Sequence, residues 1–507
     1  MSSKNITSAQ IVGLEAQTIS VEVDVAPGLR TFSVVGLPDK SVTEARERIF
    51  AALKNSGCRP PQKHHARVIV NLAPAELKKE GSQFDLAIAM GFLLASEQTD
   101  FESKGKMFLG ELGLEGDLKP IRGTLAYLLT ARKKGFKEVI LPFDNWKDAL
   151  VINGIKSVGV KTITELLSYL EGRTSPIPPA SIAEKVIPKY PIELSDIKGQ
   201  NYVKRALEIA AAGGHNLALK GPPGAGKSLL AKALKTLLPP LTFEEALEVK
   251  KIHSIAGLAL TEDLSYERPF RSPHHSASPP SILGGGSNPQ PGEVTLAHNG
   301  VLFLDEFPEF DRRIIEGLRQ PLEDRKVLIS RSRGSLEFPA KFILVAAMNP
   351  CPCGKRFDPK LNCICRPGDI LRYEKKLSQP IIDRIDMWVE VAPVELYEMA
   401  KTNDQAETSK EVLKRINQAR KIQKERFQKE SITTNAEMDL KQVERLATLS
   451  QKDKTFLQDA GTPMGLSARG WHKVIKIART IADLEENKEI IQRHLSEALQ
   501  YRPKQIY

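Results

Sequence analysis

The segment GPPGAGKS, which ends at Ser228, has the spacing G-x-x-x-x-G-K-[ST]. Backbone N–H groups can point inward around a bound triphosphate, and we expect Gly221, Gly224 and Gly226 to supply the φ values that this curvature needs. Lys227 would bring a compact charge to the β- and γ-phosphates, and Ser228 would offer an oxygen to Mg²⁺. The predicted phosphate-binding residues are Gly221, Pro222, Pro223, Gly224, Ala225, Gly226, Lys227 and Ser228.

The residues on either side of this segment fit the same interpretation. Residues 215–220 are typical of a strand, and residues 228–238 have helical spacing. A helix N-terminus next to the loop favours an anion, because its first N–H groups have no partner within the helix. The alternative is a Pro-Gly turn that happens to precede Lys-Ser, and the surrounding elements disfavour it.

A nucleotide site also needs carboxylates at the end of a neighbouring buried strand. The apolar run 300–304 ends in Asp305 and Glu306. We expect Asp305 to hold Mg²⁺ through its water shell and Glu306 to polarise the attacking water. A third apolar run ends in Asn349, which could orient the same water or sense the γ-phosphate, although asparagine before proline is also a plain turn signal.

Local positive charge is densest around a strand–turn–strand pattern with Gly334 near its bend. The basic residues are Lys326, Arg331, Arg333 and Lys341. A basic surface of this kind can bind a phosphodiester backbone and move along it without recognising the base sequence. The alternative is a solvated hairpin at a subunit interface.

Four of the five cysteines fall within fifteen residues, with the spacing C-x-C-x9-C-x-C. They are Cys351, Cys353, Cys363 and Cys365. Four thiolates within reach of one another suit a closed, structural Zn²⁺ site, and reduced thiols in a short loop are the alternative. The histidine pairs at 64–65 and 274–275 are expected to point apart in strands, which disfavours metal binding there.

Length and composition are those of a multidomain globular protein. The chain has 507 residues, 41% of them apolar and 27% charged, with a formal net charge of +11. This charge permits nucleic-acid binding without demonstrating it. No secretory signal is visible and no apolar run reaches the roughly 18 residues of a membrane span, so we expect a cytoplasmic protein that binds no membrane.

Composition shifts divide the chain. Residues 1–171 alternate strands and helices, including a helix over 41–57 in which Ser41 and Glu44 have capping-box spacing. A proline-rich linker over 172–191 precedes a second domain over 192–393 and a helix-rich third domain over 394–507.

The order of these motifs resembles that of AAA+ ATPases. The P-loop, the acid pair and Asn349 are followed by PIIDRID and by GLSARGWHKVIKIARTIADL. Residues 268–306 and 329–354 narrow the resemblance to the magnesium-chelatase-like AAA+ group known as YifB or ComM, and it spans nearly the whole chain.

The resemblance implies an α/β fold: an N-terminal Lon-protease-like α+β domain, a central AAA+ P-loop domain with a parallel sheet, and a C-terminal helical lid. It implies that Arg384 is an arginine finger that reaches the nucleotide of a neighbouring subunit in a hexameric ring. It implies that Arg469 is a sensor-2 residue on a helix that Ser467 could cap. For each arginine the alternative is a surface ion pair. It also implies that the basic hairpin faces the central pore of the ring.

Residues 109–145 are similar to the C-terminal domain of Lon proteases, which use a Ser–Lys dyad. At the position of the Lon serine this chain has Gln83, with Ser82 one position away, and at that of the lysine it has Leu125. Leucine cannot accept a proton, so we expect no peptidase activity. The domain would instead be a platform for DNA binding or ring assembly.

Taken together, the sequence predicts an ATP- and Mg²⁺-dependent motor that acts on single-stranded, forked or branched DNA. The resemblance implies a helicase that promotes branch migration in natural transformation, possible partners being recombination proteins. The alternatives are a magnesium-chelatase motor subunit, disfavoured by the Lon-like domain and the cysteine loop, and a protein-remodelling ATPase, disfavoured by Leu125.

Overall fold

The computed structural model describes residues 4–61, 66–179, 192–258, 264–286, 289–331, 334–356, 362–394 and 407–503. Two compact units account for them. The first unit comprises residues 1–186 together with 246–265, and the second comprises 187–245 and 266–507. Arg333, the histidines at 64–65 and most of the proline-rich linker lie outside the described residues.

The first unit contains a seven-stranded mixed sheet in the order β3-β4-β2-β1-β5-β8-β9. The strands of this unit are β1 Lys4–Val12, β2 Glu15–Pro27, β3 Thr31–Val35, β4 Ala66–Ala73, β5 Lys106–Phe108, β6 Glu111–Leu112, β7 Leu118–Lys119, β8 Glu138–Pro142 and β9 Lys156–Val160. Of these, β6 and β7 form a separate two-stranded sheet. Its helices are α1 Lys40–Asn55, α2 Asp85–Ala95, α3 Thr124–Lys133, α4 Trp146–Ala149 and α5 Ile163–Leu170, with a 3-10 turn at Phe143–Asn145.

Helix α2 forms the centre of this unit, and all of its residues are buried. It packs against β1 and β2, where a Cβ on Gly91 would lie 2.6 Å from Val23 Cγ2. The predicted cap of α1 at Ser41 is wrong. The Asp39 carboxylate accepts from the N–H of Val42 at 2.8 Å, because the helix begins at Lys40 and only the residue before it has the extended backbone that a cap needs.

The second unit contains five parallel strands in the order β11-β12-β15-β10-β16, and an antiparallel hairpin, β13-β14. The strands are β10 Leu217–Lys220, β11 Phe270–Arg271, β12 Val301–Leu304, β13 Lys326–Arg331, β14 Gly334–Pro339, β15 Ile343–Met348 and β16 Met387–Glu390. Strands β12 and β15 are buried throughout, as expected of a parallel sheet that is covered on both faces.

Helices lie before, between and after these strands along the chain. They are α6 Asn201–Gly213, α7 Lys227–Thr236, α8 Phe243–Ile255, α9 Pro279–Leu283, α10 Glu293–Leu296, α11 Arg312–Gly317, α12 Arg319–Asp324, α13 Pro367–Glu374, α14 Gln379–Ile382, α15 Ser409–Arg426, α16 Leu440–Leu446, α17 Gln451–Gly461, α18 Ala468–Leu484 and α19 Gln492–Gln500, with 3-10 turns at Leu194–Asp196, Phe307–Glu309 and Asn435–Glu437. Helix α8 begins in the second unit, but its residues from Ala246 onward belong to the first.

The C-terminal helices share one core with the parallel sheet. Leu219 of β10, Ile416 of α15 and Ile477 of α18 belong to the same buried cluster. Ser467 caps α18 as predicted, since its hydroxyl accepts from the N–H of Gly470 at 3.1 Å. The predicted fold class is confirmed: the chain is a mixed α/β protein with a parallel sheet and a helical C-terminal region.

The topology brings the predicted site residues to one edge of the sheet. Strands β10, β12 and β15 are parallel neighbours, so their carboxyl ends lie side by side. The P-loop follows β10, the acid pair follows β12, and Asn349 follows β15. Among the described helices, none has the length and apolar character that crossing a membrane requires.

Candidate nucleotide site and neighbouring groups

The P-loop joins β10 to α7, and two of its glycines have the expected conformation. Gly224 and Gly226 have φ values of 77° and 84°. Gly221 does not have a positive φ, so the prediction for this residue is wrong. A glycine is needed there for close packing instead, because a Cβ would lie 2.3 Å from the carbonyl oxygen of Val391.

Lys227 begins α7 and its ammonium folds back over the loop. Its Nζ donates to the carbonyls of Gly221 and Pro222 at 2.7 and 2.9 Å and to Asn349 Oδ1 at 3.1 Å. The residue is buried, and burial lowers the pKa of Lys227, although Asp305 acts in the opposite direction. A phosphate at this site would offer the ammonium anionic acceptors in place of neutral carbonyls.

Ser228 and the first acid of the pair meet in the structure. Ser228 Oγ donates to Asp305 Oδ2 at 2.9 Å, and Asp305 Oδ1 accepts from the N–H of Glu306 at 2.9 Å. Hydroxyl and carboxylate oxygens are hard ligands of the kind Mg²⁺ prefers, so the donor set fits this ion. Ser228 and Asp305 are the residues that would hold it.

These groups line a cavity of about 360 Å³, which is large enough for a nucleotide. Its lining comprises Pro223, Gly224, Gly226, Lys227, Ser228, Leu229, Asp305, Glu306, Met348 and Asn349. The structure therefore brings together most of the predicted P-loop residues, both acids and Asn349.

Glu306 has an unusual backbone and a partner that the sequence did not reveal. Its φ is 52°, in the left-handed region that a residue other than glycine seldom adopts. Its Oε2 lies 3.3 Å from Nδ1 of His275. The expectation that His274 and His275 point apart is wrong, because both lie in a loop after β11 and their ring centroids are 4.1 Å apart.

The two predicted arginines of the subunit interface lie together and do not line the cavity of their own protomer. Arg384 donates to the carbonyls of Arg319 and Pro380 at 3.1 and 2.9 Å and pairs with Glu323. Arg469, which is 57% exposed, has its Nη2 3.5 Å from the other oxygen of Glu323. A single exposed carboxylate on α12 thus contacts both guanidinium groups.

The four clustered cysteines are reduced and their sulfur atoms lie within 4.8 Å of one another. Cys351 Sγ is 3.4 Å from Cys353 Sγ and 3.7 Å from Cys363 Sγ, and the last two are 3.6 Å apart. A tetrahedral site with Zn–S bonds of about 2.3 Å has sulfur–sulfur edges of roughly 3.8 Å, so the thiols fit this ion. This loop also contacts the P-loop, since a Cβ on Gly354 would lie 2.6 Å from Pro223 Cδ.

The two lysines of the predicted basic set, Lys326 and Lys341, have different partners. Lys326 Nζ lies 2.9 Å from Glu337 across the β13-β14 pair. Lys341 Nζ instead contacts Thr433 at 2.8 Å and Glu437 at 3.0 Å in the helical region. Arg331 lies at the tip of β13.

The residues compared above with the Lon dyad are Ser82, Gln83 and Leu125, and none of them is a lysine. Leu125 is fully buried in an apolar cluster. Ser82 Oγ pairs with Glu111, and Gln83 Nε2 donates to the carbonyl of Glu80 at 2.9 Å. Leucine supplies no base at position 125, and the Glu111 carboxylate is the group that accepts from the Ser82 hydroxyl.

Comparison with known proteins gives matches along the whole chain. Family models match residues 193–399 (magnesium chelatase, subunit ChlI), 21–145 (subunit ChlI of Mg-chelatase) and 406–502 (magnesium chelatase, subunit ChlI C-terminal). Competence protein ComM of Haemophilus influenzae is 42% identical over 99% of this chain and 98% of its own length. Protein YifB of Escherichia coli, described as uncharacterized, is 40% identical over 99% of this chain and 97% of its own length. The magnesium-chelatase 67 kDa subunit of Heliobacterium mobile is 27% identical over 46% of this chain and 38% of its own length.

Proposed function

Because the chain belongs to the ComM/YifB family of magnesium-chelatase-like AAA+ proteins, we propose that it is an ATPase that works as a motor on DNA. One observation carries the proposal. Lys227, Ser228, Asp305 and Asn349 come from separate stretches of the chain and meet around one nucleotide-sized cavity.

In the proposed reaction, Lys227 leaves the loop carbonyls and binds the β- and γ-phosphate oxygens. Glu306 accepts a proton from the attacking water, and Asn349 orients that water or senses the γ-phosphate. When bound at Ser228 and Asp305, Mg²⁺ would neutralise phosphate charge. The His275 contact holds the Glu306 carboxylate at the edge of the same cavity.

The proposed assembly is a ring of six subunits, in which Arg384 and Arg469 act on the nucleotide of a neighbour. Their common contact with Glu323, away from the cavity of their own protomer, supports a role between subunits. The number six comes from the family resemblance alone.

The proposed substrate is branched or single-stranded DNA, contacted through Lys326, Arg331 and Arg333. The net charge of +11 and the separate hairpin support this choice. Lys341 was also predicted as a contact. Like Lys326 it pairs with a carboxylate, but its partner Glu437 is mostly buried and lies outside the hairpin, so Lys341 is the weakest member of the set. A role in branch migration during natural transformation draws on the name of the ComM relative, a competence protein.

Three further assignments belong to the proposal. The cysteine loop would hold one structural Zn²⁺ that supports the P-loop through Gly354 and Pro223. Residues 1–171 would be a Lon-like domain without peptidase activity, joined by the linker 172–191 to an ATPase core at 192–393 and a lid at 394–507.

A magnesium-chelatase motor subunit is the second candidate. The match of residues 21–145 to a chelatase-subunit model favours it, because this region had been expected to distinguish the chain from chelatases. The two candidates differ in what stimulates ATP hydrolysis: forked DNA for the motor, and porphyrin with partner proteins for the chelatase subunit.

The test is strand exchange on a synthetic Holliday junction with Mg²⁺ and ATP. We expect exchange by the parent and none by Lys227→Ala, with Lys232→Ala, an exposed lysine of the same helix, as the matched control. Equal behaviour of the parent and Lys227→Ala, or no exchange by either, would overturn the DNA-motor proposal.

A further inference from the structure

A second cavity lies at the other end of the parallel sheet. It is bordered by Gly300, which precedes β12, and by Ile343, the first residue of β15. These are the amino ends of strands whose carboxyl ends border the nucleotide cavity. At about 3.3 Å per residue, the four residues of β12 separate the two cavities by roughly 13 Å.

Charge in this cavity is unbalanced. Its ionisable lining comprises four basic side chains and two carboxylates: Arg268, Arg325, Lys341, Arg420, Glu245 and Glu437. Glu245 pairs with Arg268 at 3.2 Å, and Glu437 pairs with Lys341 at 3.0 Å. Neither carboxylate forms an ion pair with Arg325 or Arg420, which leaves two positive charges in excess.

Arg420, on α15, is the first of these two. Its Nη2 donates to the carbonyl of Ala211 at 2.6 Å, but its Nε is buried and has no hydrogen-bond acceptor among the described residues. Burial lowers the pKa of Arg420 to about 10, and the charge of Arg268 adds to this effect. An unmatched guanidinium in such a place is costly, and a bound anion would offset the cost.

Arg325 carries the second of the two excess positive charges. It joins α12 to β13 with a φ of 59°, and in the described part of the chain its side chain makes no hydrogen bond or ion pair. Burial opposes the ionisation of Glu437, yet Lys341 and Arg325 together hold the pKa of that carboxyl below its ordinary value. Arg325 therefore interacts with Glu437 through space but forms no ion pair with it.

Size and chemistry limit what could bind here. The cavity measures about 50 Å³, whereas one water needs about 10–15 Å³ on the same measure. This space suits a tetrahedral oxyanion and is far too small for a nucleotide. Guanidinium groups match the oxygens of a phosphate better than an ammonium does, because they donate in a planar fork.

We propose that this cavity binds a phosphate group, held by Arg325 and Arg420. Arg325 immediately precedes the hairpin and Arg420 lies in the helical region, so the bound group would tie the base of the hairpin to those helices. Two sources have this chemistry: free orthophosphate and a backbone phosphate of DNA. The site uses no residue of the nucleotide cavity, so its failure would leave the ATPase proposal intact.

The test uses the full chain with its nucleotide cavity filled by a nonhydrolysable ATP analogue and Mg²⁺. Inorganic phosphate is titrated against chloride at equal ionic strength, and the unfolding midpoint and calorimetric affinity are measured. We expect phosphate to stabilise the parent and to bind Arg325→Gln at least about tenfold more weakly. Arg312→Gln, an exposed arginine nearby in sequence, should behave like the parent.

A second measurement distinguishes the sources. Binding of a single-stranded oligonucleotide lacking terminal phosphates is followed against salt concentration. If DNA supplies the phosphate, Arg325→Gln should reduce the slope of log affinity against log salt by about one, as expected for the loss of one phosphate contact. Orthophosphate should then compete with the oligonucleotide for binding. If free phosphate is the ligand, the slope should stay unchanged.

Arg420→Lys serves as a second variant, because it keeps the charge but loses the fork, and circular dichroism checks its folding. We expect it to weaken phosphate binding as well. Equal phosphate binding by the parent and Arg325→Gln, together with an unchanged salt slope, would overturn the proposal.

Discussion

The two compact units each contain a position that the sequence relates to catalysis, and the packing at these positions differs. In the second unit, Lys227 and Asp305 border a cavity of about 360 Å³, and the lysine ammonium donates to three neutral oxygens. In the first unit, Leu125 fills the corresponding position with buried apolar surface, and Ser82 already has Glu111 as its partner. Polar groups that face an open cavity can contact a substrate, whereas the buried Leu125 side chain contributes packing and has no group that could take up a proton.

Removing the proposed base should have the largest effect in this comparison. We expect Glu306→Gln to lower ATP hydrolysis by roughly 100-fold or more while nucleotide affinity stays close to that of the parent. Phosphate release and equilibrium binding of a fluorescent ATP analogue measure the two quantities. Glu309→Gln, an exposed acid three residues away, is the control, and equal hydrolysis by both variants would contradict the assignment of Glu306.

Loss of one cysteine ligand should affect both stability and catalysis. We expect the parent to contain zinc, and we expect Cys353→Ser to lose it and to lower the unfolding midpoint by roughly 5 °C. Hydrolysis should fall too, because Gly354 packs against Pro223 of the P-loop. Elemental analysis and calorimetry test this, with Cys58→Ser as the control. A parent that contains no zinc would exclude the metal site.

Freeing the two arginines proposed to act between subunits should produce a smaller change in ATP hydrolysis. Glu323→Gln removes the carboxylate that contacts Arg384 and Arg469, so both guanidinium groups become available to a neighbouring subunit. We expect ATP hydrolysis at low protein concentration to rise about two- to threefold. Asp324→Asn is the control. If hydrolysis is unchanged at every concentration, the contact with Glu323 has no role in assembly.

A substitution in the first unit, Ser82→Ala, should have the smallest effect on ATP hydrolysis. We expect Ser82→Ala to leave ATP hydrolysis unchanged, and we expect neither the parent nor the variant to cleave casein. Cleavage by the parent that Ser82→Ala abolishes would show that this unit keeps a catalytic serine after all.

The strands and the nucleotide site were predictable because short-range patterns determine them. Apolar runs predicted β10, β12 and β15, and the resemblance in motif order placed Asn349 at the same site as Lys227. The pairing of β10 and β12 with β15 brings the carboxyl ends of these strands together. The roles of individual residues were harder to predict from the sequence. Gly221 is required by the close approach of Val391, which no local pattern could reveal.

The groups that the sequence missed are brought together only by tertiary packing. His275 meets Glu306 because β11 lies beside β12, and a two-residue strand gives almost no pattern. Glu323 lies about 60 residues before Arg384 and almost 150 before Arg469. The return of residues 246–265 to the first unit likewise has no sequence signal, since α8 is one continuous helix.

The central claim is that residues 221–228 and the acid pair bind and hydrolyse a nucleoside triphosphate. The direct measurement is phosphate release from ATP by the purified chain with Mg²⁺ and forked DNA, compared between the parent and Lys227→Ala. We predict turnover by the parent and a loss of at least about 100-fold in the variant, with Lys232→Ala unchanged. No nucleotide binding and no phosphate release by the parent, with or without DNA, would contradict the account.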